Sequence, residues 1–245
     1  MPLFVTKYPI GINSCVEAII LQLDIGSNDV CMLGMYGPGG VGKTTIAKAV
    51  YNKNFYCFER SYFLENVREK SRTFDGIIQI QDMLLCETLG NRKLKVCSEL
   101  KGTVVIENIF LNKRILLILD DVDKSNQIER LIRGCDWFAF GSRIIITTRN
   151  KHLLHTLRIC HSTHMVNKLG DYEALELFSM HALKKKKKKK KKPGEHYLEH
   201  TNQVICYAKG IPLAPSIIGA NLHKRREMKW KSTLDKYERI PDKDI

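Results

Sequence analysis

At 245 residues, with 44% apolar side chains, the chain can form one large α/β domain or a core domain with a small companion. Its formal charge of +14 is concentrated, because Lys184–Lys192 is an unbroken run of nine lysines and the remainder carries only +5. Such a run reads as a solvated, self-repelling segment, so no specific nucleic acid is expected, and without a secretory pattern or a membrane-length apolar stretch the chain is expected to be soluble with no membrane span.

In chain order, Gly11-Ile12 reads as a short turn, followed by an amphipathic helix over 14–23 and a loop over 24–29. Val30–Tyr36 is an apolar run of strand type. Gly37-Pro38-Gly39-Gly40-Val41-Gly42-Lys43-Thr44-Thr45 then fits G-x-x-x-x-G-K-[ST], and Thr45–Tyr51 opens a helix that ends near 52–54. Strand, loop and helix are the context that a phosphate-binding loop requires. The glycines let backbone N–H groups point at phosphate oxygens without Cβ clashes, and the helix N-terminus adds partial positive charge. Lys43 can reach β- and γ-phosphates, and the Thr44 hydroxyl can ligate Mg²⁺.

Ser61–Val67 suggests a second strand, 68–76 a polar loop, and both 77–89 and 100–111 have helical apolar spacing. Arg114–Asp123 runs five apolar residues into paired aspartates, the pattern of a buried parallel strand ending in acid. Asp120 could hold Mg²⁺ directly or through water, and Asp121 could orient or deprotonate an attacking water. Asp123 reads as a cap for a helix over 124–133. Gly141–Arg149 is a further buried strand with a polar end. Parallel sheets bind ligands at the carboxyl ends of their strands, which sets Thr148 and Arg149 beside the phosphates. Arg149 is thus a candidate γ-phosphate sensor, and Arg143, at the opposite strand end, is the weaker candidate. His152, His155, His161 and His164 lie near Cys160 but fit no standard zinc spacing and read as surface or loop histidines. The eight cysteines include no C-x-x-C pair and read as reduced thiols of a cytosolic protein. From about 171 the strand signals vanish. A capped helix over 171–183, a break at Pro193-Gly194, and helical stretches at 195–208, 216–223 and 229–237 predict a small helical bundle.

The fold class expected is α/β, a P-loop NTPase with a parallel sheet flanked by helices, followed by a small helical subdomain. The order of six motifs resembles one family. They are Gly37–Thr45, Phe63-Leu64-Glu65-Asn66-Val67-Arg68-Glu69, Leu116–Asp123, Gly141–Arg149, Ala174-Leu175-Glu176-Leu177-Phe178 and Gly210-Ile211-Pro212-Leu213-Ala214. Together they resemble the NB-ARC module of plant disease-resistance proteins, within the STAND class of P-loop NTPases. The Phe-Leu-Glu-Asn-Val-Arg stretch, and Asp-Asp-Val-Asp with Trp137 downstream, resemble the TIR-type subclass.

The resemblance implies a nucleotide domain over 1–167, with 1–29 as its entry segment, and a first ARC subdomain over 168–245 with a lysine-rich insert at 184–192. It implies an ADP/ATP switch with at most slow ATPase activity, in a cytoplasmic or nuclear immune receptor. ADP holds the resting form, and ATP permits opening and self-oligomerisation. By position, Gly37, Gly39, Gly40, Val41, Gly42, Lys43, Thr44 and Thr45 would hold phosphates. Thr44 and Asp120 would hold Mg²⁺, Asp121 would support hydrolysis and Arg149 would sense the phosphate end. Pro212 would pack on the adenine and Ile12 would flank its other side. Partners would be adenine nucleotide, self-oligomers and the receptor's other domains. The TIR domain, the second ARC subdomain with its Met-His-Asp motif and the leucine-rich repeats lie outside these residues.

Three other readings compete. A catalytic remodelling ATPase would need oligomer-completing arginines that no motif here supplies. A GTPase of the Ras-like kind would need an aspartate where Asn167-Lys168-Leu169-Gly170 has Gly170. A truncated, nonfunctional gene product is the third, suggested by the lysine run, by the end at Ile245 and by Pro215, which falls where a helix former is expected.

Overall fold

The computed structural model describes residues 1–89, 98–156, 162–183, 195–223 and 230. The lysine run, Pro193-Gly194, Cys160, His161 and most of the helix expected over 229–237 lie outside the described residues.

The elements in order are α1 (Asn13–Leu23), β1 (Cys31–Tyr36), α2 (Lys43–Asn54), β2 (Arg60–Leu64), α3 (Val67–Lys70), α4 (Gly76–Leu89), α5 (Glu99–Asn112), β3 (Ile115–Val122), α6 (Ser125–Leu131), β4 (Arg143–Thr148), α7 (Lys151–Thr156), β5 (Ser162–Met165), α8 (Asp171–Leu183), α9 (Glu195–Ala208) and α10 (Leu213–Leu222). The chain divides into two compact units. The first is Met1–Val5, Ser14–Gly37 and Lys43–Met165; the second is Thr6–Asn13, Pro38–Gly42 and Val166–Ile245.

The first unit is built on a parallel five-stranded sheet of order β2-β3-β4-β1-β5. The chain leaves β1, crosses to the far edge at β2, returns through β3 and β4, and ends beside β1 as β5. Strand order therefore reverses at β1, and the loop leaving such a strand faces the crevice where α/β sheets take ligands. The continuous apolar stretches Ile115–Leu119 of β3 and Ile144–Ile146 of β4 are of the kind buried where helices cover both faces of a sheet. Ile115, Leu117, Leu119, Ile144 and Ile146 pack with Ile80, Leu84, Ile106 and Phe110 of α4 and α5 in the main core. Gly34 of β1 is fixed by packing, since a Cβ there would lie 2.6 Å from Leu154 Cδ1 of α7.

Several local features of the first unit depart from the sequence reading. Val67 is not in β2, because Asn66 adopts a left-handed conformation (φ 57°) that stops the strand and starts α3. Gly76 belongs to α4, not to the preceding loop. The short α7 and β5 were not anticipated. Each is too brief for a periodic signal, and β5 alternates half-buried with exposed residues as an edge strand does.

The second unit packs α8, α9 and α10 around Phe178, Ala182, Val204, Ile218, Leu222 and Trp230. The Phe178 and Trp230 rings meet edge to face at 5.8 Å. Gly219 allows α10 to approach α8, since a Cβ there would lie 2.8 Å from His181 Cβ. α10 begins at Leu213, three residues earlier than the sequence reading placed it. Pro215 therefore sits in the first turn of α10, where its missing N–H is one the helix would leave unpaired in any case. Among the described residues, no helix is long and apolar enough to cross a membrane.

Candidate functional site

The phosphate-binding loop leaves β1 at Gly37, and its lysine opens α2. Gly40 and Gly42 have φ of 73° and 101°, left-handed values that a side chain would strain. Lys43 is buried at 7% exposure, and its Nζ donates to the Gly37 carbonyl at 2.8 Å. Burial pushes its pKa down to about 8. The Arg149 charge adds to that push, while Asp121 and Asp120 oppose it.

Thr44 follows Lys43 on α2, and its hydroxyl lies 3.0 Å from each Asp120 carboxylate oxygen. Asp120 is 76 residues further along the chain and fully buried on β3. Thr147 of β4 donates its hydroxyl to Asp120 Oδ1 at 2.7 Å and accepts from the Asp121 N–H at 2.9 Å. Burial raises the Asp120 pKa; the two threonine hydrogen bonds oppose that rise, and the Asp121 charge adds to it.

Two adjacent carboxylates reach the same end of the sheet because β3 carries an irregularity there. Its register against β4 runs Leu119↔Ile146 and then Val122↔Thr148, one extra residue on β3. Asp121 takes the left-handed conformation (φ 56°), so its side chain does not alternate to the far face. It is held by two guanidiniums, Arg68 Nη2 at 2.9 Å from Oδ2 and Arg149 Nε at 3.5 Å from Oδ1. Lys48 of α2 pairs with Glu65, just after β2, at 2.7 Å.

The structure thus brings Gly37, Lys43, Thr44, Asp120, Asp121 and Arg149 into one connected group, with Thr45 on the same first turn of α2. Thr147 and Arg68 join them and carried no role in the sequence reading. For Thr147 the signal was present, since it and Thr148 alternate on β4. Thr148 instead accepts from the Asn150 N–H at 3.1 Å. Asp123 caps only indirectly. Its carboxylate accepts from Gln127 Nε2 at 2.7 Å, while Gln127 Oε1 accepts the N–H groups of Asp123 and Lys124 at the start of α6.

The remaining candidates, Ile12, Gly39, Gly40, Val41, Gly42 and Pro212, fall in the second unit. Pro212 is half-buried immediately before α10, and its neighbour Leu213 donates its N–H to the Gly40 carbonyl at 3.3 Å. A Cβ on Gly40 would lie 2.9 Å from Leu213 Cβ. Ile12 is half-buried just ahead of α1, beside Gly11, where a Cβ would lie 2.6 Å from Leu169 Cδ2.

The donor set suits a hard divalent cation and a polyphosphate. A hydroxyl and a carboxylate supply oxygen ligands of the kind Mg²⁺ takes, and a buried ammonium supplies the counter-charge. Among the described residues no group of three or more His, Cys, Asp or Glu side chains could hold a metal ion by itself.

The NB-ARC domain family model matches residues 12–188. Among curated relatives, the disease resistance protein RUN1 of Vitis rotundifolia is 40% identical over 96% of this chain and 17% of its own length. RPV1 of Vitis rotundifolia is 39% identical over 96% of this chain and 16% of its own length. The TMV resistance protein N of Nicotiana glutinosa is 37% identical over 92% of this chain and 19% of its own length. The chain therefore spans less than a fifth of the length of each of these relatives. Among solved structures, Cdc6p of Pyrobaculum aerophilum aligns with a TM-score of 0.64 at 13% identity, covering 95% of this chain and 65% of that one. The ORC2 protein of Aeropyrum pernix, solved as ADPNP–ADP complexes, aligns with a TM-score of 0.59 at 13% identity, covering 97% and 71%. At that identity the likeness is one of fold.

Proposed function

Because this chain belongs to the NB-ARC domain family, we propose that it is the adenine-nucleotide switch module of a plant intracellular immune receptor, binding ADP or ATP with Mg²⁺. The nucleotide domain would extend to about 167 and the first ARC subdomain over 168–245. The observation that carries this reading is the meeting of Thr44 and Asp120 at 3.0 Å, beside a lysine buried against the loop carbonyl. A hydroxyl and a carboxylate so close together suit a nucleotide-bound Mg²⁺, which supports the reading.

In this reading Gly37, Gly39, Gly40, Val41, Gly42 and Thr45 offer N–H groups to phosphate oxygens, and Lys43 neutralises them. Thr44 and Asp120 hold the cation, whose role is to offset charge on the phosphates. Thr147 fixes the Asp120 carboxylate. Arg149 reads the phosphate end, and Ile12 and Pro212 contact the base. Asp121 is the candidate base for water. Two guanidiniums, Arg68 and Arg149, engage its carboxylate. Slow hydrolysis at most belongs to the same reading. Self-oligomerisation, the other receptor domains as partners and a cytoplasmic or nuclear location belong to the same proposal.

Titration calorimetry with ADP at several Mg²⁺ concentrations tests the assignment. Asp120→Asn should bind ADP with little dependence on Mg²⁺, whereas the unaltered chain should bind more tightly as Mg²⁺ rises. Undiminished Mg²⁺ dependence in the variant would count against Asp120 as the cation's ligand.

A further inference from the structure

Arg68 stands in the Phe63–Glu69 stretch, and apart from its pairing with Asp121 it has no role toward the nucleotide in the proposed function. Its guanidinium is only half used. Nη2 pairs with Asp121 Oδ2 at 2.9 Å, yet Nε, on the same edge of the fork, is buried with no hydrogen-bond partner among the described residues. That edge is the one arginine uses to grip a carboxylate or phosphate with two parallel bonds. Asp121 does not complete the grip, because its other oxygen faces Arg149. A buried donor left open is costly and asks for an acceptor.

The charge balance points the same way. Lys43, Arg68 and Arg149 face Asp120 and Asp121, and Glu65, whose charge also reaches Asp120, is offset by Lys48, so four cations stand against three carboxylates. Arg68 and Arg149 lie close enough to Lys43 for each to oppose its charge. A site with surplus positive charge and an unsatisfied guanidinium edge is built for one more anion.

We infer that Arg68 is a third cation for the terminal phosphate of a bound nucleoside triphosphate, and that it favours the triphosphate over the diphosphate. The inference rests on the nucleotide-binding reading. Arg68 shares itself between Asp121 and the phosphate oxygens, so binding of the triphosphate would also loosen one of the two clamps on Asp121.

The test is equilibrium binding to the 245-residue chain of ADP and of an ATP analogue with a non-hydrolysable β–γ bridge, both with Mg²⁺. Arg68→Gln should weaken the analogue by about tenfold or more and ADP by less than about twofold, as expected for one charge-assisted bond. The loss should persist in an Asp121→Asn background, because the contact is with phosphate. A loss that vanishes there would mean that Arg68 only neutralises Asp121, and equal weakening of both ligands would mean a structural role; either overturns the inference. Arg68→Lys, which keeps the charge and disturbs packing least, should show an intermediate loss for the analogue, and no loss would overturn the inference even if Arg68→Gln fails to fold. An unaltered chain that binds neither ligand would overturn the nucleotide reading itself, and this inference with it.

Discussion

At the residue scale, Arg143 shows how a charge can be wholly structural. Its side chain is fully buried and donates to the carbonyls of Leu23, Asp24, Ser27, Asp29 and Ser142, with Nη1 at 2.6 Å from Asp29 O. It fastens the 24–29 loop to the start of β4, far from the phosphate end of the sheet. Arg143→Met would remove the side-chain donor from all five carbonyls, of which those of Asp24 and Ser142 still accept from the Ser27 and Cys31 N–H groups. We expect a loss of about 3 kcal/mol or more, read as a lower urea midpoint. His164 gives a pH prediction. It lies 3.4 Å from Cys15 Sγ and 3.2 Å from Gln22 Nε2, and burial lowers its pKa from 6.5. His181 is lowered in the same direction by burial and by Lys7. The unfolded chain then binds more protons than the folded one as pH falls below about 6.5, so acid destabilises the fold through both histidines. His164→Asn should flatten that acid-side slope in pH-dependent unfolding, and an unchanged slope would remove His164 from the account.

At the element scale, the phosphate-binding loop and the start of α10 make opposite predictions. Gly40→Ala forces a Cβ into a left-handed residue and against Leu213 Cβ at 2.9 Å. It should cost about 1 kcal/mol or more in unfolding and weaken ADP binding in calorimetry. Pro215→Ala, in the first turn of α10, should change stability by less than about 1 kcal/mol, because no hydrogen bond is gained there. The same contrast explains what the sequence made legible. β1, β3, β4, α2, α8 and α9 were readable because each carries a long period or a motif with its own punctuation. Asp120 and Thr44 were readable because their chemistry is tied to strand and helix ends. The placement of Val67 was not, since it depends on one left-handed residue, Asn66. Nor was the convergence of Asp121 with Arg68, which needs an extra residue in β3 and a left-handed aspartate. No periodicity encodes either feature.

At the scale of the whole molecule, the sheet order sets Gly37, Lys43, the β3 aspartates and Arg149 at one end of parallel strands, and the adenine-switch reading rests on that arrangement. Nine of the +14 charges come from the lysine run, which lies outside the described residues. Deleting 184–192 should abolish salt-sensitive binding to nonspecific DNA while leaving nucleotide binding intact. The most direct test of the central claim is thermal unfolding of the 245-residue chain with ADP, ATP or GTP, each with Mg²⁺. A ligand that binds only the folded state adds about 2.7 kcal/mol of stability at a hundredfold excess over its dissociation constant. The account predicts a rise in the midpoint with ADP and ATP, little or none with GTP, and loss of the rise in Lys43→Ala. A cooperative transition that no adenine nucleotide shifts, or a shift that survives in Lys43→Ala, would contradict it.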